Sequence, residues 1–526
     1  MSVFRLERED KMEKYRSKIE KIHENGNFYR LGKTFYTSSS LYFLDTGTGK
    51  VFKIKENVYR VLDCLLKTNS FDNVYKIDLP KEDIIAALDE ICEAVEKEYI
   101  LSAPCLSEEN ICGEHYNLED SLQNNMSSIT LELTERCNLR CRYCVYSDTN
   151  EDYRTFGEQD MSFDTAKKAI DFLMVHSPKE KQLYLGLYGG EPLLRFPLIK
   201  DITQYVMSEY PERDVCYSMT SNMTLMNEEI AGYLATVKKF SIVVSMDGPE
   251  EVYNSKRVFP NGEGAFEAAI KGLRTYLKAR ENTVNSDEPV AFSVVLTEPY
   301  TAEKFNKINK FFEELKKECK CIILVSYVSK TAKCNEYIEI NDRIENQWDD
   351  KLKGEEIYDP LALWTLNNIE QDNFSMQYFR RGSLLEIHKR NLCNKPIDKY
   401  GLNGCCVPGA RRLYVTVEGK FLPCERIGTQ SPIGNVDTGF DIDIIRKNYV
   451  EDFVKQEIKY CGECWAVNIC NNCYMDCFGD KKVNFAYRHQ LCTNTRKRIS
   501  ESLSIYHEVM ERNPEMIEEL NSVMIE

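Results

Sequence analysis

The 526 residues carry 84 acidic against 68 basic side chains, a formal charge of -16, with 43% hydrophobic content. That balance disfavours gripping a phosphate backbone, which argues against nucleic acid as the partner. At about 150 residues per domain the length predicts about two to four domains. The opening stretch "MSVFRLEREDKMEKYRSKIEK" is charged throughout and no run approaches the roughly 18 apolar residues of a membrane span. The expectation is a soluble, cytoplasmic protein without membrane contact.

Residues 1–103 form the first predicted unit. "SLYFLDTGTGKVFKIK" (40–55) has two β-rich runs around a Thr-Gly-Thr-Gly turn, and helical patterns follow near 57–67 and 81–97. A hairpin with helices in this order is shaped like a winged helix. Residues 104–127 are polar and aperiodic, as a linker would be. From 128 to 329 strand, loop and helix alternate. The predicted strands are 129–134, 183–188, 215–221, 240–246, 290–297 and 321–328, with amphipathic helices such as 162–175, 227–237, 264–279 and 303–318 between them. Six β/α units are two short of a closed eight-fold barrel. The predicted fold class is therefore α/β, an open partial barrel with its chemistry at the C-terminal strand ends. Residues 330–392 read as a helical bridge in which Trp348 and Trp364 are available for packing. Residues 393–500 form a cysteine-rich module, and 501–526 a charged amphipathic helix.

The chemistry lies in the cysteines. Of 21, ten fall between Cys393 and Cys492, and only six histidines are present. Clustered thiols in a reducing compartment point to a metal held by sulfur, either zinc or iron-sulfur. "TERCNLRCRYC" places Cys137, Cys141 and Cys144 directly after the first barrel strand. Structural zinc closes with four ligands, so a triad needs a distant fourth partner or a position left open. "LYGGEP" ends the second strand, where Gly189 and Gly190 permit close backbone approach and Glu191 offers a carboxylate to a ligand amine; "SMDGP" ends the fourth. Farther on, "CVPGARRLYVTVEGKFLPC" spaces Cys406, Gly419 and Cys424, and "CGECWAVNICNNCYMDC" supplies Cys461, Cys464, Cys470, Cys473 and Cys477, followed by Cys492. Two Cys-x-x-Cys pairs would also suit zinc ribbons.

With CxxxCxΦC met by Cys137, Cys141, Tyr143 and Cys144, and GGEP by Gly189 to Pro192, the sequence resembles the radical S-adenosylmethionine (SAM) enzymes. The resemblance implies that the three thiolates hold three irons of a 4Fe-4S cluster whose fourth iron chelates S-adenosylmethionine. It further implies that Tyr143 lies near the adenine, that Glu191 contacts the amino group, and that Ser245 and Arg257 contact the ribose or carboxylate. "TSNMTL" (220–225) stands where the family often has Thr-Asn-Gly, so Met223 replaces a glycine and the role of Asn222 is open. The later cysteines resemble the SPASM extension, which carries two auxiliary 4Fe-4S clusters. By that likeness Cys461, Cys464, Cys470 and Cys492 hold the distal cluster, and Cys406, Cys424 and one or both of Cys473 and Cys477 hold the proximal one. The spacing at 470–473 departs from the usual CxxxC, so the fourth proximal ligand stays open among Cys477, Cys405, Cys393 and a substrate thiolate. The N-terminal unit resembles the leader-recognition element of peptide maturases, with 50–55 as the edge strand and 81–98 as the helix.

Together the parts resemble radical SAM/SPASM maturases of ribosomally made, cysteine-rich precursor peptides, including sactipeptide synthases of the ruminococcin type. The implied reaction joins a substrate cysteine sulfur to an α-carbon, using electrons from a flavodoxin or ferredoxin. Ranthipeptide-type thioethers, carbon-carbon crosslinking, epimerisation and anaerobic sulfatase maturation are alternatives within the same chemistry. A zinc-binding interaction protein would explain the cysteines but not GGEP.

Overall fold

The computed structural model describes residues 13–22, 27–111, 117–147, 156–328, 359–401, 405–428, 431–478, 483–484, 489 and 491–523. At the N-terminus, β1 (Gly32–Tyr36), β2 (Leu41–Asp45) and β3 (Val51–Ile54) form an antiparallel sheet in that order. Helix α1 (Glu56–Thr68) packs on β1 and β2, and α2 (Lys81–Glu98) packs on α1. Both helices end on a residue with positive φ, Asn69 and Tyr99, which turns the chain out of the helical path. Phe43, Val61, Leu65, Leu88 and Ile91 give this unit a core of its own. Lys50 Nζ reaches Glu98 Oε2 at 2.8 Å and Lys55 Nζ reaches Glu90 Oε2 at 2.9 Å, so α2 runs alongside β3.

The stretch expected as a linker is fastened at several points. Ile111 bridges to Tyr400, and α3 (Leu118–Gln123) sends Leu118 and Leu122 into the main core. A few apolar positions suffice to anchor a polar, aperiodic segment.

Six parallel strands follow in consecutive order: β4 (Ser128–Thr134), β5 (Leu183–Gly189), β6 (Val215–Ser221), β7 (Phe240–Ser245), β8 (Val290–Leu296) and β9 (Cys321–Tyr327). Helices α4 (Phe163–Val175), α5 (Phe196–Glu209), α6 (Glu228–Thr236), α7 (Phe266–Arg280) and α8 (Ala302–Leu315) connect them. The α4, α6 and α8 starts are capped by Ser162, Asn227 and Thr301, whose side chains accept from backbone N–H groups. Buried residues alternate along β6 and β8, the period of a pleated strand. This is the expected six-unit partial barrel.

The sheet does not stop at β4. β10 (Arg412–Val415) pairs with it in parallel, and β11 (Lys420–Leu422), β12 (Gly434–Asn435) and β13 (Gly439–Phe440) extend the sheet to ten strands. Gly419 makes the β10–β11 turn at φ 83, a conformation that favours glycine. The cysteine-rich module is thus continuous with the barrel.

Of the bridge, residues from 359 onward are described; Trp348 lies outside them. Trp364, in α9 (Pro360–Asn367), donates to Asn306 Oδ1 at 2.9 Å and packs on Phe305 and Phe374. Two short helices follow, α10 (Met376–Arg381) and α11 (Ser383–His388). After α12 (Asp452–Cys461), the last long helix is α13 (Cys492–Arg512), so the boundary expected at residue 500 falls inside one helix. Its charges serve an interface: Glu508, 1% exposed, accepts from Ser38 N and Oγ, and Glu511 accepts from Tyr42 Oη at 2.7 Å. His507 lies against the rings of Phe35 and Tyr42. Among the described residues no helix is long and apolar enough to cross a membrane.

Candidate functional site

A cavity of about 500 Å³ opens at the C-terminal ends of the barrel strands. Cys137, Cys141 and Cys144 line it together with Tyr143, Gly189, Gly190, Glu191, Ser245 and Arg257, so the residues singled out at the first, second and fourth strands face one space.

Backbone approach explains the two glycines. Gly190 N–H donates to Thr134 O at 2.8 Å and Glu191 N–H to Arg136 O at 2.9 Å. A Cβ on Gly189 would come within 2.3 Å of Thr134 O, and one on Gly190 within 2.0 Å of Arg136 O. Any larger residue would push β5 away from the cysteine loop. Glu191 is buried, and its carboxylate accepts from Ser221 Oγ at 2.8 Å, Asn222 N at 2.9 Å and Leu193 N at 3.2 Å. Burial pushes it up to about 7 despite these three donors.

The open question at Asn222 has a structural answer. Its Nδ2 donates to Asn138 Oδ1 at 3.0 Å, Asn138 donates to Thr224, and Thr224 closes back on Asn222 Oδ1, which ties the end of β6 to the cysteine loop. Met223 adopts φ 63 without being glycine. Gly272 of α7 provides the space: a Cβ there would meet Met223 O at 2.0 Å.

Sequence reasoning missed Asp247, two residues past Ser245 in "SMDGP". Its carboxylate accepts from Arg257 Nε at 2.9 Å and Nη2 at 3.1 Å, from Tyr143 Oη at 2.6 Å and from Val295 N at 3.0 Å. Arg257 and Asp247 are both buried, and the guanidinium also lies 5.4 Å from the Tyr143 ring centroid. Asp247 therefore fixes the orientation of two residues expected to contact the nucleotide. Glu425, Arg426 and Met475 also line the cavity and were missed. The available signal was their position next to Cys424 and two residues from Cys473.

In the C-terminal module, Cys461, Cys464, Cys470 and Cys492 line a second, small cavity. They come from the end of α12, the loop behind it and the start of α13. Burial drives the Cys461 thiol far up, reinforced by Cys464, Cys492 and Cys470, and pushes Cys470 up to about 12. Cys424, at the end of β11, is also held up to about 12, by burial first and then by Glu425, with Cys473 adding to it. Arg412 Nη2 lies 3.9 Å from Cys406 Sγ. Cys477 is fully buried. Cys405 is half-buried beside Cys406, whereas Cys393 sits at the hairpin turn, its N–H donating to Thr48 O at 2.9 Å.

Residues 131–310 match the Radical SAM superfamily. The chain carries a radical SAM domain. A cysteine-type anaerobic sulfatase-maturating enzyme from Clostridium novyi (strain NT) is 22% identical over 372 residues, 69% of this chain and 90% of the relative. An uncharacterized protein from Methanocaldococcus jannaschii is 28% identical over 314 residues, 60% of this chain and 90% of that one. The solved structure of native anSMEcpe with bound AdoMet shares the fold at 20% identity and a TM-score of 0.52, covering 75% of this chain and 100% of that chain.

The radical SAM domain's donor set fits an iron-sulfur group. Among the described residues no three His, Cys, Asp or Glu side chains close around a single metal ion, but the three loop thiols share a cavity with room for a cofactor-sized ligand. Burial pushes Cys137 up to about 12 and Cys141 up to about 11. At neutral pH these thiols become thiolates when a coordinated cation offsets their desolvation.

Proposed function

We propose that this radical SAM enzyme matures a ribosomally made, cysteine-rich precursor peptide by joining cysteine sulfurs to α-carbons. Cys137, Cys141 and Cys144 would hold the cluster that binds S-adenosylmethionine. Cys461, Cys464, Cys470 and Cys492 would hold one auxiliary cluster, and Cys406, Cys424, Cys473 and Cys477 the other. When bound, these groups supply hydrogen-atom abstraction at the first site and electron acceptance at the others.

The chain's own residues provide the binding and orientation. Glu191 offers a buried acceptor to the nucleotide's amino group, Ser245 and Arg257 line the wall expected to meet the ribose or carboxylate, and Asp247 holds Arg257 and Tyr143 in place. The observation that carries the reading is the extent of the cavity. It runs from the Cys137 loop to Glu425, Arg426 and Met475, next to Cys424 and Cys473. A peptide residue bound there would lie between the first cysteine site and the proximal one, flanked by the barrel wall and the C-terminal module.

Peptide recognition is assigned to the N-terminal domain. β3 stands at one edge of its sheet, with α2 beside it. An extended leader can add a strand there and place alternate side chains against the helix. A solved structure of native anSMEcpe, similar in fold at 20% identity, holds AdoMet together with the Cp18Cys peptide, which supports a peptide as the substrate class here.

Mass spectrometry of a precursor peptide co-expressed with the enzyme tests the reading. Each link should remove two hydrogens and one alkylatable cysteine. With α-deuterated acceptor residues, deuterium should appear in 5'-deoxyadenosine. Transfer only from β- or γ-positions would reassign the bond to the ranthipeptide type. Loss of two hydrogens with every cysteine still alkylatable would reject thioether formation and favour the sulfatase-maturing alternative.

A further inference from the structure

The hairpin turn of the N-terminal domain is inserted against the loops that space the distal cysteines. Between Cys464 and Cys470, Thr46 Oγ1 donates to Trp465 O at 2.9 Å, and Asn468 Nδ2 donates back to Thr46 O at 2.8 Å. Lys33 Nζ lies 5.6 Å from the centroid of the Trp465 ring. Between Cys461 and Cys464, Glu463 Oε2 accepts from Asn27 Nδ2 at 2.9 Å. Asn27 is itself fixed by Asn69, the residue that ends α1: Asn69 Nδ2 donates to Asn27 Oδ1 at 2.7 Å, and Asn69 Oδ1 accepts from Phe28 N at 2.8 Å.

The opposite side of the turn is held as well. Cys393 N, Ile397 N and Arg390 Nε donate to Thr48 O, Gly47 O and Gly49 O. A Cβ on Gly49 would meet Asn391 O at 2.0 Å. Leu106 and Ile111, just past the domain, line the same small cavity as Cys461, Cys464, Cys470 and Cys492. Thr46 and Trp465 are both nearly inaccessible to water, so the bond between them has no solvent substitute.

We propose that the N-terminal domain is part of the cage of the Cys461, Cys464, Cys470 and Cys492 site, with Thr46, Asn27 and Asn468 as positioning residues for its ligand loops. This rests on the reading that those four thiols hold an iron-sulfur cluster. A four-thiolate cluster needs its sulfurs at fixed spacing. Residues that orient the ligands from outside, and exclude water around them, tune both retention and potential. The domain that receives the peptide and the loops that carry the distal cluster then form one mechanical unit. Deleting residues 1–103 removes more than a docking module.

The test uses the anaerobically reconstituted full chain with Thr46→Val, which removes the hydroxyl and keeps the shape, and Thr46→Ser, which keeps the hydroxyl. Iron release to a chelator and the redox-titrated electron paramagnetic resonance signal of the distal cluster are followed. Thr46→Val should release that cluster's iron about tenfold faster and shift its midpoint potential, Thr46→Ser should restore both, and the Cys137 site's signal should be unchanged. If Thr46→Val does not fold, Asn27→Ala makes the same test through the Glu463 loop. Wild-type release and potential in the folded variant would overturn the proposal. A Cys464→Ala chain holding as much iron as wild type would overturn the cluster reading instead.

Discussion

The two main cysteine sites are built in opposite ways. Cys137, Cys141 and Cys144 lie on one loop at the end of β4, fixed by Gly189 and Gly190 on the next strand and by the Asn138–Asn222 pair. Cys461, Cys464, Cys470 and Cys492 are drawn from a helix end, a loop and another helix start, with the N-terminal domain packed around the spacers. The first is local and anchored on a rigid strand end. The second depends on contacts between residues more than 400 positions apart, such as Thr46 with Trp465. Losses at the first site should therefore be complete, and losses at the second graded.

The largest effect expected is at the first site. Cys141→Ala should abolish reductive cleavage of S-adenosylmethionine, because two remaining loop thiolates do not hold the cluster; full cleavage would break the comparison at once. Next, Cys464→Ala and Cys424→Ala should retain cleavage, read as 5'-deoxyadenosine, while losing crosslinked peptide. Equal loss of both products would place the two sites on the same footing.

The third effect lies in the wall of the first cavity. Asp247→Asn leaves Arg257 buried without a counter-charge, and breaking such a pair costs about 3–5 kcal/mol. It should appear as a lowered denaturation midpoint together with weaker binding of S-adenosylmethionine. A variant with wild-type stability would show that the pair does not hold the site. The smallest effect is in the seam between α13 and the N-terminal hairpin. Burial pushes His507 from 6.5 down to about 4, so its neutral form is favoured by folding. Its contribution is complete above about pH 6.5 and lost as pH falls toward about 4, in total about 3 kcal/mol. His507→Leu should flatten that acid limb, and an unchanged limb would remove the histidine from the seam.

The legibility of these regions in sequence follows the same contrast. The barrel strands and the triad were readable because both are local: a short β-rich run marks each strand, and eight consecutive positions carry all three thiols. The four distal cysteines were grouped by family likeness and do line one cavity, although spacing alone also suited zinc. What escaped was set by pairing at a distance. The parallel union of β10 with β4 joins residues near 412 to residues near 128, and neither the four-residue β10 nor the seven-residue β4 carries a mark of its partner. Asp247 escaped because one buried carboxylate has no period. The charges of α13 carry no sequence mark of their partners, yet Glu508 and Glu511 accept from Ser38 and Tyr42 across the domain seam.

The central claim, that this chain combines a three-thiolate radical SAM site with two further cysteine-held clusters, is tested most directly by iron and sulfide analysis of anaerobically purified protein. The account predicts a brown protein with about twelve irons per chain, falling to about eight when Cys137, Cys141 and Cys144 are all replaced by alanine. A colourless protein containing zinc in place of iron would contradict it.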